Sequence, residues 1–156
     1  MRELFKWASI LDRSYSSYLD KKLAEFNINS SQYFYILRIC DNPGITQDSI
    51  FQTTYRSPSN ITRALAQLET KGYLTKDPSR ADKRTYHLYP TDKALRDYDK
   101  ILSIILDCVE ELLSPFSQEE RLVFLKMLRT AGENAFALNK NEKERTEEFM
   151  DEANIY

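Results

Sequence analysis

Residues that build metal centres, disulfide frameworks and tight turns are scarce in this sequence of 156 residues. It holds one histidine, His87, and two cysteines, Cys40 and Cys108, which are far apart and have no C-x-x-C spacing. A His/Cys metal site or a disulfide framework is therefore poorly supported, and no cofactor is expected. We interpret both cysteines as small buried hydrophobes, with a redox-sensing thiol as the alternative. Three glycines and five prolines leave few helix breaks, so a mainly α fold is predicted.

Long apolar runs are also missing. None approaches the roughly 20 residues that span a bilayer, and the N-terminal MRELFKWASI lacks a small-residue cleavage site. We therefore expect a cytoplasmic protein with no membrane partner. No nucleophile–base pairing or glycine-rich phosphate loop is visible, and His87 reads as a partly exposed strand residue. The sequence does not predict an enzyme.

Basic residues, by contrast, are concentrated in one segment. The formal net charge is −2, yet the segment from Arg56 to Arg84 has seven basic and three acidic residues, a local net of +4. A phosphate backbone responds to such a local excess and not to the global balance. The segment is therefore a candidate for contact with DNA.

Hydrophobic periodicity predicts helices and two short strands around this segment. Helices are expected over residues 3–26, about 30–41, 46–53, 58–71, 92–113 and 118–139, and strands over 73–76 and 84–89. Ser57 occupies an N-cap position, Pro58 the first helical position, and Gly72 the stop of the fourth helix. Thr91 and the capping box Ser117–Glu120 mark the starts of the last two helices.

The fourth of these helices has two distinct faces. Ile61, Leu65 and Leu68 form one apolar stripe, and the other side carries Ser, Asn, Thr, Arg and Gln with no acid before Glu69. Such a surface suits a groove of polar base edges. Arg63 is our first candidate for a base contact, because a bidentate guanidinium on guanine is the commonest specific pairing.

The first helix and the last two each carry a continuous apolar stripe that a small helix-turn-helix unit has little surface to cover. We expect these helices to pack against the same helices of a second subunit. Two-fold symmetry would then place two copies of the fourth helix over successive major grooves of a near-palindromic site. An entirely intramolecular helical bundle is the alternative.

The string SPSNITRALAQLETKGYLTK, from Ser57 to Lys76, resembles the recognition helix and first wing strand of the MarR family of bacterial regulators. Asp82-Lys83-Arg84 matches the family's Asp-x-Arg wing motif, and Pro43-Gly44-Ile45-Thr46 is similar to the usual entry to its third helix. The resemblance implies a mainly α fold with a small two-stranded β wing: a winged helix-turn-helix at about residues 29–91. Residues 1–26 and 92–156 would be dimerisation helices of the same single domain, 1–156.

Site roles follow from this placement. We expect Arg63 to contact bases, Arg84 to enter the minor groove, and Arg80 and Lys83 to contact phosphates. The resemblance implies that Asp82 supports the wing by pairing with a nearby arginine. The predicted DNA-binding set is Gln47, Arg56, Ser57, Ser59, Asn60, Thr62, Arg63, Gln67, Arg80, Lys83 and Arg84.

The resemblance further implies a homodimeric regulator, most often a repressor, whose DNA affinity changes when a small molecule binds near the junction of the dimer and DNA-binding parts. Four tyrosines, with aromatic faces and hydroxyl groups, are candidates to line a pocket for a small aromatic or phenolic effector. They are Tyr15, Tyr18, Tyr33 and Tyr35, and core or interface packing is the alternative role for them. The alternatives for the whole protein are a winged-helix interaction module without DNA binding and a regulator driven by thiol redox sensing.

Overall fold

A computed structural model describes residues 2–53, 57–79 and 85–153, with side chains in 2–51, 57–79 and 85–140. The chain forms two compact units, Met1–Glu111 and Leu112–Tyr156. Within the described residues, none of the helices is both long enough and apolar enough to cross a membrane.

The described residues form six α-helices and three short β-strands. In chain order these are α1 (Leu4–Leu23), α2 (Tyr33–Asp41), β1 (Ile45–Thr46), α3 (Gln47–Thr53), α4 (Pro58–Thr70), β2 (Leu74–Pro78), β3 (Tyr86–Pro90), α5 (Asp92–Leu113) and α6 (Gln118–Ala153). A 3-10 turn, Ala24–Phe26, extends α1. The mainly α fold and the predicted helix order are confirmed.

The apolar stripe of α4 that the sequence predicts lies in the core of the first unit. On α4, Ile61, Leu65 and Leu68 are completely buried, and they pack in one cluster with residues of α1, α2 and α5. Burying each such side chain stabilises the fold by about 1.5–3 kcal/mol. This packing fixes which face of α4 points to solvent.

The sheet has three antiparallel strands in the order β1-β3-β2, whereas we expected two. The additional strand pairs Ile45 with Leu88 and Thr46 with His87. At Gly44 the backbone has φ +87°, which favours glycine, and its N–H donates to the carbonyl of Leu88 at 2.8 Å. A strand of two residues is too short to show a period in the sequence, so only the pairing reveals it.

Predicted caps are present at both long C-terminal helices. The Ala94 N–H donates to Thr91 Oγ1 at 3.3 Å at the start of α5. At the start of α6, the Glu120 N–H donates to Ser117 Oγ and the Ser117 N–H to Glu120 Oε2, as a capping box requires. The bond from the Ser117 N–H, followed by a hydrogen bond from the Ser117 side chain, holds the pKa of the Glu120 carboxyl below its ordinary value. Ser57 occupies the N-cap position of α4, but its side chain makes no capping bond.

Tyr73 joins three parts of the first unit. Its hydroxyl lies 2.9 Å from the carbonyl oxygen of Phe26 and 3.0 Å from Asp97 Oδ2 on α5. The Lys93 ammonium lies 4.1 Å from the centre of the tyrosine ring and donates to the carbonyl of Lys71 at 2.9 Å. The end of α4 is thereby bonded to the beginning of α5.

Tyr73→Phe is expected to lower the free energy of unfolding by about 1–3 kcal/mol, because the change leaves a buried carbonyl and a carboxylate without their donor. Urea unfolding followed by circular dichroism measures the loss. Tyr98→Phe is the matched control, since its hydroxyl donates to Asp41 at an exposed position where water can replace it. Equal losses for the two variants would contradict this account.

Candidate nucleic-acid interface

One face of α4 is exposed along most of its length. Because Ile61, Ala64, Leu65 and Leu68 point into the core, the polar side chains between them are directed to solvent. The exposed predicted contacts are Ser57, Ser59, Asn60, Thr62, Arg63 and Gln67. The structure thus places six predicted DNA-binding residues on or beside one helix, a shape that a major groove admits.

Arg63 is the cation on this face. Its side chain is exposed and makes no hydrogen bond or ion pair with any described residue. A guanidinium in this state keeps its planar set of donors for an external acceptor. Bases with two adjacent acceptors, or a phosphate, satisfy that geometry.

Gln47 and Thr62 form a polar contact between α3 and α4. Gln47 Nε2 donates to Thr62 Oγ1 at 3.1 Å, and Gln47 is half-buried. Thr46 Oγ1 accepts the Ser49 N–H at 3.2 Å and thereby caps α3. Through its bond to Thr62, Gln47 holds α3 against the exposed face of α4.

Gln32 is a residue of this site that the sequence reasoning missed. It is fully buried, and its Nε2 donates to Gln67 Oε1 at 2.8 Å. Its Oε1 accepts from Lys71 Nζ at 2.9 Å. The sequence did contain a sign that Gln32 is buried. Gln32, Ile36 and Ile39 are spaced i, i+4 and i+7, which puts the glutamine on the buried stripe of α2.

Two of the basic residues counted in the local excess are engaged inside the protein. Lys76 forms an ion pair with Glu69 at 2.8 Å, and Lys71 is bonded to Gln32. The charge they offer to an external phosphate is smaller than the sequence count implies. Five predicted residues lie outside the described parts of the chain, namely Arg56, Arg80, Asp82, Lys83 and Arg84.

Three of the four candidate pocket tyrosines are neighbours. Tyr15 interacts electrostatically with Tyr33, Tyr18 and Cys108, and burial, as the first cause, raises the pKa of its phenol. The Tyr15 hydroxyl is buried and has no hydrogen-bond partner among the described residues. Tyr35, in contrast, is 1% exposed and belongs to the core.

An open cleft of about 320 Å³ lies beside this cluster, between α1 and α5. Its lining includes Lys22, Cys108 and Glu111. Tyr18 donates to the Glu111 carboxylate, and the Lys22 ammonium lies 5.2 Å from the centre of the Tyr18 ring. The cleft is thus lined by charges of both signs, with Cys108 between them in its wall.

Burial suppresses the thiolate form of both cysteines. Desolvation raises the pKa of the Cys40 thiol to about 11, with Asp41 as the lesser cause, and it also raises the pKa of Cys108. Since the thiolate is the species that peroxide and disulfides react with, neither environment favours redox sensing. The described residues also include no cluster of His, Cys, Asp and Glu that would hold a metal ion.

Cys40 is expected to react with a thiol reagent such as DTNB about 100-fold more slowly in the folded protein than after unfolding, near pH 7.5. At this pH the raised pKa makes the thiolate fraction of Cys40 smaller by the same factor than in the unfolded chain. The reaction rate should therefore increase with pH until the pH passes about 11. Measuring the rate in Cys108→Ala assigns it to Cys40. A folded rate equal to the unfolded one would restore the redox interpretation.

Comparison with known proteins agrees with this geometry. The model of the MarR family matches residues 28–86, which include α2, β1, α3, α4 and β2 and end at the first residue of β3. The HTH-type transcriptional regulator YybA of Bacillus subtilis strain 168 is 25% identical over 134 residues, 86% of this chain and 89% of its own length.

Solved structures extend the likeness over both units. A MarR protein from Peptoclostridium difficile is 30% identical with a TM-score of 0.79, over 86% of this chain and 88% of its own. A MarR family regulator from Listeria monocytogenes, in complex with a 26mer DNA, has the same fold at 24% identity and a TM-score of 0.77, over 87% of this chain and 91% of its own. The chain belongs to the MarR family and is a DNA-binding transcriptional regulator, not an enzyme.

Proposed function

We propose that the protein is a homodimeric, sequence-specific repressor that binds a near-palindromic operator in double-stranded DNA. The observation that carries the proposal is the exposed polar face of α4, where Arg63 has no partner among the described residues. In this proposal Arg63 contacts bases, while Ser57, Ser59, Asn60 and Thr62 add base and phosphate bonds. Repression is the simplest outcome, because a protein seated in the groove excludes polymerase without further contacts.

Six further residues of the predicted interface complete this proposal, and all but Gln47 rest on the sequence alone. Arg84 enters the minor groove, and Arg80 and Lys83 contact phosphate, with Asp82 holding the wing. Arg56 and Gln47 are phosphate contacts near the starts of α4 and α3. The Listeria regulator, which shares the fold, was solved with a 26mer DNA, and this supports DNA as the partner.

The dimer is proposed from the surface of α6. Between Arg121 and Arg129 the sequence reads LVFLKML, so apolar side chains point in every direction around the helix. Leu122 and Met127 are each 67% exposed, and Val123, Leu125 and Leu128 are about half exposed. A helix that is apolar all round is normally buried, and a patch of this kind marks an interface. A second copy of α6 is the occupant that two-fold symmetry supplies.

Modulation by a small aromatic or phenolic effector is the second part of the proposal. The buried, unpartnered Tyr15 hydroxyl favours it, since such a group is satisfied by a bound donor or acceptor. Tyr18 and Tyr33 would supply further aromatic surface, with Tyr35 supporting them from the core. Salicylate is a suitable probe. We expect it to raise the melting temperature of the wild type, and we expect a smaller increase in Tyr15→Phe.

Genomic footprinting tests the regulator proposal as a whole. The wild type is expected to protect a near-palindromic site, with half-sites about one helical turn apart and binding that falls steeply with salt. A variant carrying Arg63→Ala and Arg84→Ala should lose that protection. If both proteins gave the same weak, sequence-independent occupancy, the chain would fit the alternative of an interaction module without operator recognition.

A further inference from the structure

Gln32 is unusual among the described residues because its polar side chain is fully buried, with 0% exposure. It lies just before α2 and bonds to Gln67, in the last turn of α4, and to Lys71, the residue that follows the helix. Its amide nitrogen donates to Gln67 Oε1 at 2.8 Å, and its amide oxygen accepts from Lys71 Nζ at 2.9 Å. A buried amide that is bonded at both ends holds one orientation.

Lysine determines the direction of these hydrogen bonds. An ammonium group has only donors, so the atom of Gln32 that faces Lys71 must be the oxygen. The nitrogen of Gln32 must then face Gln67, and the atom of Gln67 that faces Gln32 must be its oxygen. The orientation of the Gln67 amide follows from the charge on Lys71.

We propose that Gln32 and Lys71 are positioning residues that turn the Gln67 carbonyl inward and leave its NH2 group as the outward donor. Gln67 is exposed on the same helix as Arg63, so its donor can meet acceptors on DNA, which are phosphate oxygens or the acceptor edges of guanine and thymine. The usual bidentate reading of adenine by glutamine needs an outward donor and acceptor side by side, and this arrangement does not present them. The inference rests on the proposed DNA-contacting face.

Gln32→Glu is the sharpest test, because it exchanges one NH2 group for an oxygen at nearly constant volume. The glutamate still accepts from Lys71, but it offers no donor to Gln67. Gln67 must then turn its own NH2 group inward and its oxygen outward. We expect the affinity for the wild-type operator to fall by about fivefold or more, the effect of losing one hydrogen bond to an acceptor.

A double-mutant cycle with Gln67→Ala separates positioning from a structural role. When Gln67 is alanine, exchanging Gln32 for glutamate should change operator affinity by less than about twofold. A loss that is uniform over a randomised operator library assigns the Gln67 donor to phosphate, and a changed base preference assigns it to a base. Both outcomes support the inference.

Two results would overturn it: unchanged affinity and base preference in Gln32→Glu, or a loss that persists in full when Gln67 is alanine. Urea unfolding checks that each variant is folded, and Gln32→Met carries the same cycle if the glutamate variant does not fold. The wild type on its operator is the reference. If it shows no specific binding the proposed function fails, whereas specific binding without coupling between residues 32 and 67 defeats only this inference.

Discussion

Leu125→Glu is expected to dissociate the proposed homodimer and to remove most of its operator affinity. Leu125 lies in the apolar stretch of α6 and is 55% exposed in the single chain. In a two-fold interface the substitution enters twice, and each unpaired charge that becomes buried costs about 3–5 kcal/mol. The dissociation constant of the dimer should therefore rise by at least about 10⁴-fold.

Light scattering with size exclusion, over a range of concentrations, measures the change in mass. Ser103→Glu is the matched control, since it adds the same charge at an exposed position on the polar face of α5, between Asp99 and Asp107. It should remain a dimer with unchanged operator affinity. A wild-type protein that stays monomeric at all concentrations, or a Leu125→Glu protein that stays dimeric, would refute the interface on α6.

Arg63→Ala is expected to have the second largest effect, a loss of about 30-fold to 10⁴-fold in operator affinity. Each bidentate arginine–guanine pair contributes about 1–3 kcal/mol of discrimination, and a dimer on a palindrome makes that contact twice. The affinity for unrelated DNA should fall much less, because phosphate contacts dominate non-specific binding.

Fluorescence anisotropy with operator and scrambled duplexes, at several salt concentrations, measures both affinities. Arg13→Ala is the control, because Arg13 is an exposed arginine on α1, whose Nε donates to the Ser9 carbonyl. It should bind both duplexes as the wild type does. Equal losses on operator and scrambled DNA after Arg63→Ala would reassign Arg63 from a base contact to a phosphate contact.

Local features of the fold could be read from the sequence because their signals lie within a few residues. The capping box at Ser117 and Glu120, the Thr91 cap and the buried stripe of α4 all depend on neighbours three or four residues apart. The exposed face of α4 follows from that stripe. The helix order and the candidate surface were accessible in this way.

Features that depend on pairing between residues far apart in the chain could not be predicted from the sequence. Strand β1 is defined only by its partners on β3, which are 41 to 43 residues away in the chain. The contact from Gln32 to Gln67 spans 35 residues, and the one from Lys71 to Gln32 spans 39. Residue types predict that a buried amide needs partners, but only the packed fold identifies them.

The contacts around Tyr73 join the end of α4 firmly to the start of α5. The Thr91 hydroxyl donates to the Gly72 carbonyl at 2.6 Å, Lys93 donates to the Lys71 carbonyl, and the Tyr73 hydroxyl donates to Asp97. The three residues after α4 are therefore bonded to the cap and the first two turns of α5. A tilt of α5 is therefore expected to move the C-terminal end of α4 with it. In a dimer, the distance between the two α4 helices would then depend on the angle of α5. A change in that angle would bring this distance into or out of agreement with the pitch of the double helix.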